Sequence, residues 1–445
     1  MRRVPFFCLL VCLAAAAQQA PIPTSTELPG TPFFVKNKWF IGGAGSWDYV
    51  TLDAAAHRLY IAHDRVVQVV DVETGTLAGV ISGFRQAHAV ALDDDGEYGY
   101  VSDGPAGAVD VFDRKTLKVE AAIPILCSPR SIAFEPRSKL VFAICGSILS
   151  APPQSPQSVP KSAPQPAQSP GGDAMPSAKQ KQAPASSSGA SHVIAIDSQT
   201  RRVVADIVVP GDLRFAEPDG TGQVYISAGS AQSAVERNGR AEQDSVPQRI
   251  VSLDAPSIVI FARRQMDQKQ AQRESQPAAS ASILIDWTSH AVPTSLARFL
   301  PLTNDCKAPQ GLAADSQHHR LFAACSGQRF AVLDSDTGNP IASLITGPGD
   351  DVIGYDPDRE LIFVANGAGY GSLTIISQDT TTDTYAVIQN LPTLARARTL
   401  AVDPSTGNVY LVTDYLGVDL TQTSGFGTVK SEPIQGSFQV LMVGH

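Results

Sequence analysis

A repeat of about 40 residues runs through most of this chain and restricts its fold more than any other feature. Each copy starts with a short strand of small and apolar residues. A turn opened by Asp or Glu follows, and the next strand is rich in β-branched and aromatic residues. The first strands of the six clear copies lie at 49–53, 89–93, 131–135, 311–315, 352–356 and 399–403, and a weaker seventh copy lies at 213–217.

A second hairpin follows the first in most copies. Its tight turn carries an acidic residue and a Thr, whose side chains can hydrogen-bond the backbone of the turn. These turns begin at Glu73, Asp113, Asp197 and Asp334. Four short strands in a unit of this length are typical of one propeller blade. The sequence therefore predicts an all-β fold, a seven-bladed β-propeller built from four-stranded antiparallel blades.

The two ends of the repeat region predict how the ring closes. The last unit has only three strands, at 399–402, 409–412 and 437–443, and an unassigned strand precedes the first unit at 33–41. Pairing 33–41 with 437–443 would complete the seventh blade and protect both sheet edges. We therefore expect a single β-propeller domain over residues 33–445, closed by its N-terminal strand.

Composition agrees with this fold and restricts the partners. The chain has 35 Gly and 32 Pro but only 17% charged residues, which favours turn-rich β structure over helical bundles. Its formal net charge is −9, with no cluster of Lys and Arg. Duplex nucleic acid and anionic membranes attract clustered cations, so neither is expected as the main partner.

The first residues resemble a targeting segment. Arg2 and Arg3 precede an apolar run at 6–13, and small residues at 15–17 provide a cleavage site. We expect residues 1–17 to be a signal peptide, with an uncleaved anchor as the alternative. No later apolar stretch is long enough to span a membrane, so the mature protein is expected to be exported, periplasmic or secreted, without a membrane span.

Several segments interrupt the repeat. Residues 150–189 in the third unit are rich in Pro, Ser and Gln and are expected to be disordered, because they offer little apolar surface to bury. The fourth unit is irregular: its third strand is expected at 257–262 or 282–285, and a small eighth blade is the alternative. Loop inserts are expected at 229–248, 264–281 and 414–436.

Three of these inserts fall between the second and third strands of their units, at 150–189, 229–248 and 414–436. That connection lies on the same face of a propeller as the start of the first strand. The inserts are therefore expected on one face, either as tolerated surface loops or as a partial cover over a binding face.

Four cysteines remain after the predicted cleavage. Cys127 lies 18 residues before Cys145, and Cys306 lies 19 residues before Cys325. In an exported chain this spacing favours two disulfides, Cys127–Cys145 and Cys306–Cys325, each closing the open end of an inner hairpin. A redox-active pair is the alternative. A metal site is not expected, because the spacing lacks a Cys-x-x-Cys motif or nearby His.

Aligning the repeats predicts which residues meet at the central channel. The residue before each innermost strand points into the channel mouth, and all seven such residues are polar or charged. They are Asp48, His88, Arg130, Asp212, Gln310, Asp351 and Arg398, with the fourth resting on the weakest alignment. Polar groups are tolerated at any water-filled mouth; the functional interpretation is a ring of mixed charge that binds a small polar or zwitterionic ligand.

The residues that end the second strands are expected at the same face. Three of them, His63, Asp103 and Asn366, join the candidate ligand-binding set, and Cys145 and Cys325 occupy equivalent places. His88 beside Asp48 or Asp351 could act as a general base, and His63 with Asp64 is a second candidate pair. No established hydrolase or nucleotide-binding motif accompanies them, and no cofactor is predicted.

The repeats resemble those of the YVTN-repeat, YncE-like β-propeller family. The resemblance rests on Tyr60-Ile-Ala-His63, Tyr100-Val-Ser-Asp103, Phe363-Val-Ala-Asn366 and Tyr410-Leu-Val-Thr413, and covers residues 33–445 apart from the inserts. It implies a seven-bladed, often exported propeller but no single activity, because similar propellers serve as binding platforms, sugar lactonases and heavy subunits of quinone-dependent dehydrogenases. The chain departs from the family pattern where cysteines occupy 145 and 325 and in its enlarged fourth unit.

Three functions follow from these observations. The first is an exported binding or scaffold protein, not an enzyme, whose channel mouth binds a small polar ligand or a protein partner. The alternatives are a lactonase-type hydrolase acting at the same face and a component similar to the heavy subunit of a quinone-dependent dehydrogenase. The sequence identifies neither the ligand nor the oligomeric state.

Overall fold

Alternating apolar residues in short strands fold into seven antiparallel sheets arranged as the blades of a propeller. The computed structural model describes residues 32–43, 45–148, 190–237, 240–272, 281–284, 296–424 and 428–445. Within this part, Phe33–His445 forms one compact unit. The predicted signal peptide and the predicted disordered insert at 150–189 lie outside the described residues.

The strands are numbered in chain order, starting with β1 at Phe34–Phe40. Blade 1 contains β2–β5, at Trp47–Asp53, Arg58–His63, Val66–Asp71 and Thr76–Ser82. Blade 2 contains β6–β9, at Ala87–Leu92, Tyr98–Asp103, Ala108–Asp113 and Lys118–Pro124. Blade 3 contains β10–β13, at Cys127–Glu135, Leu140–Ile148, Ala190–Asp197 and Arg202–Pro210.

Blade 4 begins with β14 and β15, at Asp212–Pro218 and Gln223–Gly229, followed by a separate hairpin of β16 and β17 at Ala231–Arg237 and Arg240–Val246. Then come β18 at Arg249–Asp254, helix α1 at Ala255–Gln272, β19 at Ala281–Leu284 and β20 at Ala297–Pro301. Blade 5 contains β21–β24, at Lys307–Asp315, Arg320–Ser326, Arg329–Asp334 and Pro340–Ile345.

Blade 6 contains β25–β28, at Asp350–Asp356, Leu361–Asn366, Ser372–Asp379 and Thr384–Pro392. The last strands are β29–β33, at Leu400–Asp403, Asn408–Thr413, Leu416–Ser424, Thr428–Pro433 and Gln439–Gly444. Blade 7 has the order β1-β33-β30-β29, and β31 pairs with β32 as a separate hairpin.

The N-terminal strand closes the ring, as predicted. β1 pairs antiparallel with β33, which places Trp39 opposite Val440. Trp39 also packs on Tyr410, with ring centroids 5.8 Å apart, and lies against Gly75 in the first blade. Gly75 has a φ of 70° and no room for a Cβ atom beside the indole, so glycine meets two requirements there. Blade 7 thus contains one strand from each end of the chain, and Trp39 packs it against blade 1.

The core consists of apolar layers between neighbouring blades. Between blades 1 and 2, for example, Tyr60, Val69 and Ile81 pack with Val90 and Val101, and each is buried. Removing such side chains from water is the main favourable contribution to the fold. Because each blade packs on two neighbours, the innermost strands are held at fixed positions around the channel.

Blade 4 differs from the expectation. Its third strand is β18, so both predicted positions for that strand, 257–262 and 282–285, are wrong. The first belongs to α1, which starts behind an N-cap: Asp254 accepts a hydrogen bond of 2.7 Å from the backbone N–H of Ser257. β19 overlaps the second position and extends blade 3 as a fifth strand, parallel to β13. The described strands form seven blades and no eighth.

All three predicted loop inserts contain regular structure. The segment at 229–248 holds the hairpin β16–β17, the segment at 414–436 holds β31–β32, and α1 extends into the segment at 264–281. Both hairpins follow the second strand of their blade.

We call the end of the channel at which the innermost strands begin the mouth face, and the opposite end the turn face. Within the described residues, no helix has both the length and the apolar character to cross a membrane.

Candidate functional site

One acidic residue at the turn of each inner hairpin fixes the alignment of the seven blades. Its carboxylate accepts backbone N–H groups of the turn, as Asp53 does from Ala56 and Asp93 from Gly96. The equivalent acids are Asp53, Asp93, Glu135, Asp219, Asp315, Asp356 and Asp403. Counting back five positions from each acid gives a set that we call the mouth ring: Asp48, His88, Arg130, Arg214, Gln310, Asp351 and Arg398.

The mouth ring corrects one predicted site residue. The sequence alignment took Glu217 as the turn acid of blade 4 and therefore selected Asp212. In the structure Asp219 accepts the turn N–H groups, and the irregularity of the inner strand pairing falls between Leu213 and Ala216, at the position equivalent to Trp47/Val50 in blade 1. Arg214 therefore occupies the equivalent position.

Arg214 still connects Asp212 to the ring. Its Nη2 and Nε donate to Oδ2 of Asp212, at 2.9 and 3.1 Å, and its Nη1 donates to Oε1 of Gln310 at 2.8 Å. The guanidinium group of Arg214 thus links blades 4 and 5 at the mouth, and the carboxylate of Asp212 is paired with it. Asp212 stays near the mouth as the partner of Arg214.

His88 and Asp48 form a pair across blades 1 and 2. Nδ1 of His88 lies 2.9 Å from Oδ2 of Asp48, and their side chains are 18% and 32% exposed. A carboxylate at Nδ1 makes that nitrogen the donor and leaves Nε2 with its lone pair. On the other side of the imidazole, Gly104 leaves the room that Nε2 needs, since a Cβ there would lie 2.8 Å from it.

Asp351 and Arg398 form a looser pair across blades 6 and 7. Nη1 of Arg398 lies 3.7 Å from Oδ2 of Asp351, and its Nη2 donates to the carbonyl oxygen of Trp47 at 3.3 Å. Burial, with a smaller contribution from Asp48, raises the pKa of Asp351 to about 6 against the opposing effects of Arg398 and Arg214. These electrostatic effects show that side chains from blades 1, 4, 6 and 7 converge on the channel.

Arg130 completes the ring from blade 3. Its side chain is exposed, and its guanidinium group lies beside Gly146 at the end of the second strand. Its guanidinium group has five N–H donors and, among the described residues, no hydrogen-bond or ion-pair partner. An unpaired Arg is suited to a carboxylate or phosphate group.

The predicted residues at the ends of the second strands are buried and hydrogen-bonded within their own blades or to the connection that leads into them. Nδ1 of the buried His63 lies 2.7 Å from Oε1 of Gln68. Asp103 accepts backbone N–H groups of Arg85 and Gln86, at 2.7 and 3.0 Å. Asn366 is fully buried, and its amide donates to its own blade. We leave these three residues out of the binding site.

Two aromatic rings, which we call the aromatic floor, meet across the channel below the mouth ring, and the sequence reasoning missed them. Tyr49 and Phe215 each follow a ring residue, and their ring centroids lie 5.3 Å apart although they come from blades 1 and 4. Burial raises the pKa of Tyr49, and the carboxylates of Asp351 and Asp48 raise it further, so its hydroxyl keeps its proton. With the register anchored at Asp219, the sequence would have placed both aromatic residues at one level.

Both predicted disulfides are confirmed. Cys127 is bonded to Cys145 and Cys306 to Cys325, with Cα atoms 5.7 and 5.0 Å apart. Each bond closes the mouth end of an inner hairpin, in blades 3 and 5, and all four cysteines are buried. The described residues contain no group of three or more His, Cys, Asp or Glu side chains that could hold a metal ion.

The mouth therefore combines both signs of charge over an aromatic floor. Arg130, Arg214 and Arg398 supply cations, while Asp48 and Asp351 supply carboxylates, partly shielded from solvent. Such a surface can pair with an anionic and a cationic group of one small ligand, and its His–Asp pair can accept a proton.

The comparisons with known proteins establish the fold only. No protein-family profile and no curated protein matches the chain. Among solved structures it is similar to a chain of the mitotic checkpoint complex, with 11% identity, a TM-score of 0.55 and coverage of 96% of this chain and 100% of that one.

Two further structures are similar over most of their length. The WD40 repeats of RRP9 give 8% identity, a TM-score of 0.56 and coverage of 93% and 97%. The hydrazine synthase of Kuenenia stuttgartiensis gives 11% identity, a TM-score of 0.54 and coverage of 88% and 97%. At such low identities the likeness shows the fold alone.

Proposed function

We propose that this protein is an exported binding protein of the YVTN-repeat, YncE-like type, whose mouth ring holds a small ligand carrying both a positive and a negative charge. The observation that carries the proposal is the convergence of Asp48, Asp351, Arg214 and Arg398 from four blades on one mouth. Residues so distant in the chain come together only because the ring is closed, and packing holds them in place.

The chemistry of the mouth favours a zwitterion. Arg130 has no partner among the described residues, and the pair of Arg398 and Asp351 at 3.7 Å is loose enough for a ligand to separate it. A ligand carboxylate would pair with the arginines and a ligand ammonium with Asp48 or Asp351. The aromatic floor of Tyr49 and Phe215 would pack against the body of the ligand.

Export is supported by the two buried disulfides, because such bonds persist in oxidising compartments. A scaffold role is compatible with the same fold: one similar structure is a chain of the mitotic checkpoint complex. Binding at the mouth is the more specific proposal, since it names the residues to be changed.

Native mass spectrometry of the protein purified from its own source would test the proposal. We expect a retained small molecule, and we expect it to be lost from a fourfold variant carrying Asp48→Asn, Arg130→Gln, Asp351→Asn and Arg398→Gln. Removal of the ion pairs leaves the ligand without charged partners.

A matched control removes an ion pair far from the mouth. Lys139 donates to both oxygens of Asp94 at 2.6 Å on the turn face, so Asp94→Asn with Lys139→Gln tests the effect of neutralising charges as such. This control should keep the ligand. The proposal is wrong if the fourfold variant also keeps it, or if the wild-type protein carries no ligand and responds to none.

The pair of His88 and Asp48 favours a second candidate, a lactonase-type hydrolase. Asp48 at 2.9 Å orients the imidazole so that Nε2 can take a proton from water attacking a lactone carbonyl carbon. The arginines of the mouth could stabilise the oxyanion that forms.

A panel of lactones with the purified protein tests this second candidate. Hydrolysis should disappear in His88→Ala and fall by about a hundredfold or more in Asp48→Asn, within the usual contribution of a general base. Wild-type protein that hydrolyses none of the lactones would exclude the candidate and leave the binding proposal intact.

A further inference from the structure

The channel below the aromatic floor holds a cavity that the mouth ring does not use. It measures about 460 Å³, a size typical of small-molecule sites. Tyr49 and Phe215 line its mouth end, and Leu52, Pro218 and Val402, which lie directly before the hairpin turns, line the other end. The cavity therefore extends from the aromatic floor towards the turn face.

Glu217 is the only charged residue among the described residues that line this cavity. Most of the lining side chains are apolar, with Thr51 and Ser131 among the polar exceptions, and backbone groups contribute the rest of the polar surface. At the strand position of Glu217, the other six blades contribute only small residues: Thr51, Ala91, Ala133, Ala313, Gly354 and Ala401. These small residues leave room beside the carboxyl group in the middle of the channel.

The carboxyl group of Glu217 has no hydrogen-bond or ion-pair partner within the described part of the chain. Burial raises its pKa to about 8, and the nearby carboxylate of Asp219 contributes to the shift. A buried carboxylate is costly unless a cation or hydrogen-bond donors accompany it, so the unliganded site keeps this carboxyl group protonated near neutral pH. A cation bound beside Glu217 would favour its ionised form and pair with it.

The aromatic floor also favours a cation. The rings of Tyr49 and Phe215 are 5.3 Å apart, and both belong to the cavity wall. The face of an aromatic ring attracts positive charge, most strongly where water is excluded. Two independent features of one cavity, a lone carboxyl group and an aromatic cover, therefore select the same ligand charge.

We propose that the channel cavity is a second binding site, which takes a small organic amine or ammonium ion with an apolar body. The cationic group pairs with Glu217, and the apolar body fills the space beneath Tyr49 and Phe215. A metal ion does not fit, because one carboxylate supplies too few ligands. This site opens to the turn face and does not rest on the function proposed for the mouth.

Three probes that share a phenyl body test the charge preference: 2-phenylethylammonium, the neutral 2-phenylethanol and the anionic phenylacetate. Calorimetric titration of the full-length protein should show that the ammonium ion binds at least about tenfold more tightly than the alcohol, as expected for a charge-assisted hydrogen bond. Phenylacetate should bind more weakly than both.

Variants assign the preference to the cavity. Glu217→Gln keeps the shape of the side chain and should bring the ammonium ion and the alcohol within about twofold of each other. Ala401→Leu should weaken both, because it fills the channel at the same level. Asp94→Asn removes a carboxylate on the turn face outside the cavity and should change neither.

The proposal is overturned if the ammonium ion binds no better than the alcohol, or if none of the probes binds. A preference that survives Glu217→Gln would also overturn it. If Ala401→Leu leaves the affinity for both probes unchanged, the probes bind elsewhere and the assignment to the channel fails.

Discussion

Removing the Cys127–Cys145 disulfide should destabilise the protein by about 3 kcal/mol. The bond closes a loop of 18 residues, and in the chain-entropy model a loop of this length restricts the unfolded chain by about that amount. The Cys306–Cys325 bond spans 19 residues and should contribute equally. Blade 4 separates the two bonds, so their contributions should add.

Equilibrium unfolding in urea measures the effect. We would compare wild-type protein with a Cys127→Ala/Cys145→Ala variant, a Cys306→Ala/Cys325→Ala variant and a variant carrying all four changes. Each pair should lower the free energy of unfolding by about 3 kcal/mol and the melting temperature by about 4 °C for a unit of this size.

Reduced wild-type protein is the control, since it retains all four sulfur atoms and loses only the cross-links. It should match the variant with four changes, apart from the smaller loss due to packing around the substituted side chains. The reasoning is refuted if reduction leaves the free energy of unfolding unchanged, because the bonds would then not constrain the unfolded chain.

Three further predictions concern single residues. Burial raises the pKa of Asp351 to about 6, so the affinity for a ligand ammonium group should fall as the pH drops below that value; titration across this range in wild-type protein and in Asp351→Asn, which should lose the pH dependence, checks it. Burial and Asp103 raise the pKa of Asp110 from 3.8 to about 7. Because the folded state then binds more protons than the unfolded state in this window, stability falls as the pH rises through it, and urea unfolding should show that Asp110→Asn gains more stability over wild type above pH 7 than at low pH. Gly104→Ala should displace His88 and weaken ligand binding at the mouth about tenfold. Gly146→Ala should have little effect in the same binding assay, because its Cβ would lie 3.9 Å from Cζ of Arg130, at ordinary contact distance.

Most of the fold could be predicted because the same sequence pattern recurs in nearly every blade. The acids at the inner turns and the alternation of apolar residues recur in each blade, and closure by β1 follows from the missing strand of the last unit. Blade 4 could not be predicted in the same way. There the hairpin β16–β17 and helix α1 flank β18, so the spacing between its strands gives no period to follow.

The candidate site could be predicted wherever the innermost strands of the blades could be aligned correctly. Six of the seven mouth positions follow from well-aligned turns, and the seventh was misplaced because Glu217 precedes Asp219 by only two residues. The contacts that these polar side chains make with their neighbours could not be predicted. Whether a polar residue such as His63 faces the channel or bonds inside its blade depends on its neighbour Gln68, and periodicity carries no information on that pairing.

Differential scanning calorimetry with three related ligands tests the central claim, that the mouth ring binds one ligand carrying both charges. The three are an amino acid, its methyl ester and its N-acetyl derivative, which are zwitterionic, cationic and anionic, and a library of side chains would be screened. For at least one side chain the zwitterion should raise the melting temperature of wild-type protein more than either derivative, and should leave the fourfold mouth variant unchanged. Equal responses of the wild-type protein and the fourfold variant, or no response to any zwitterion, would contradict the claim.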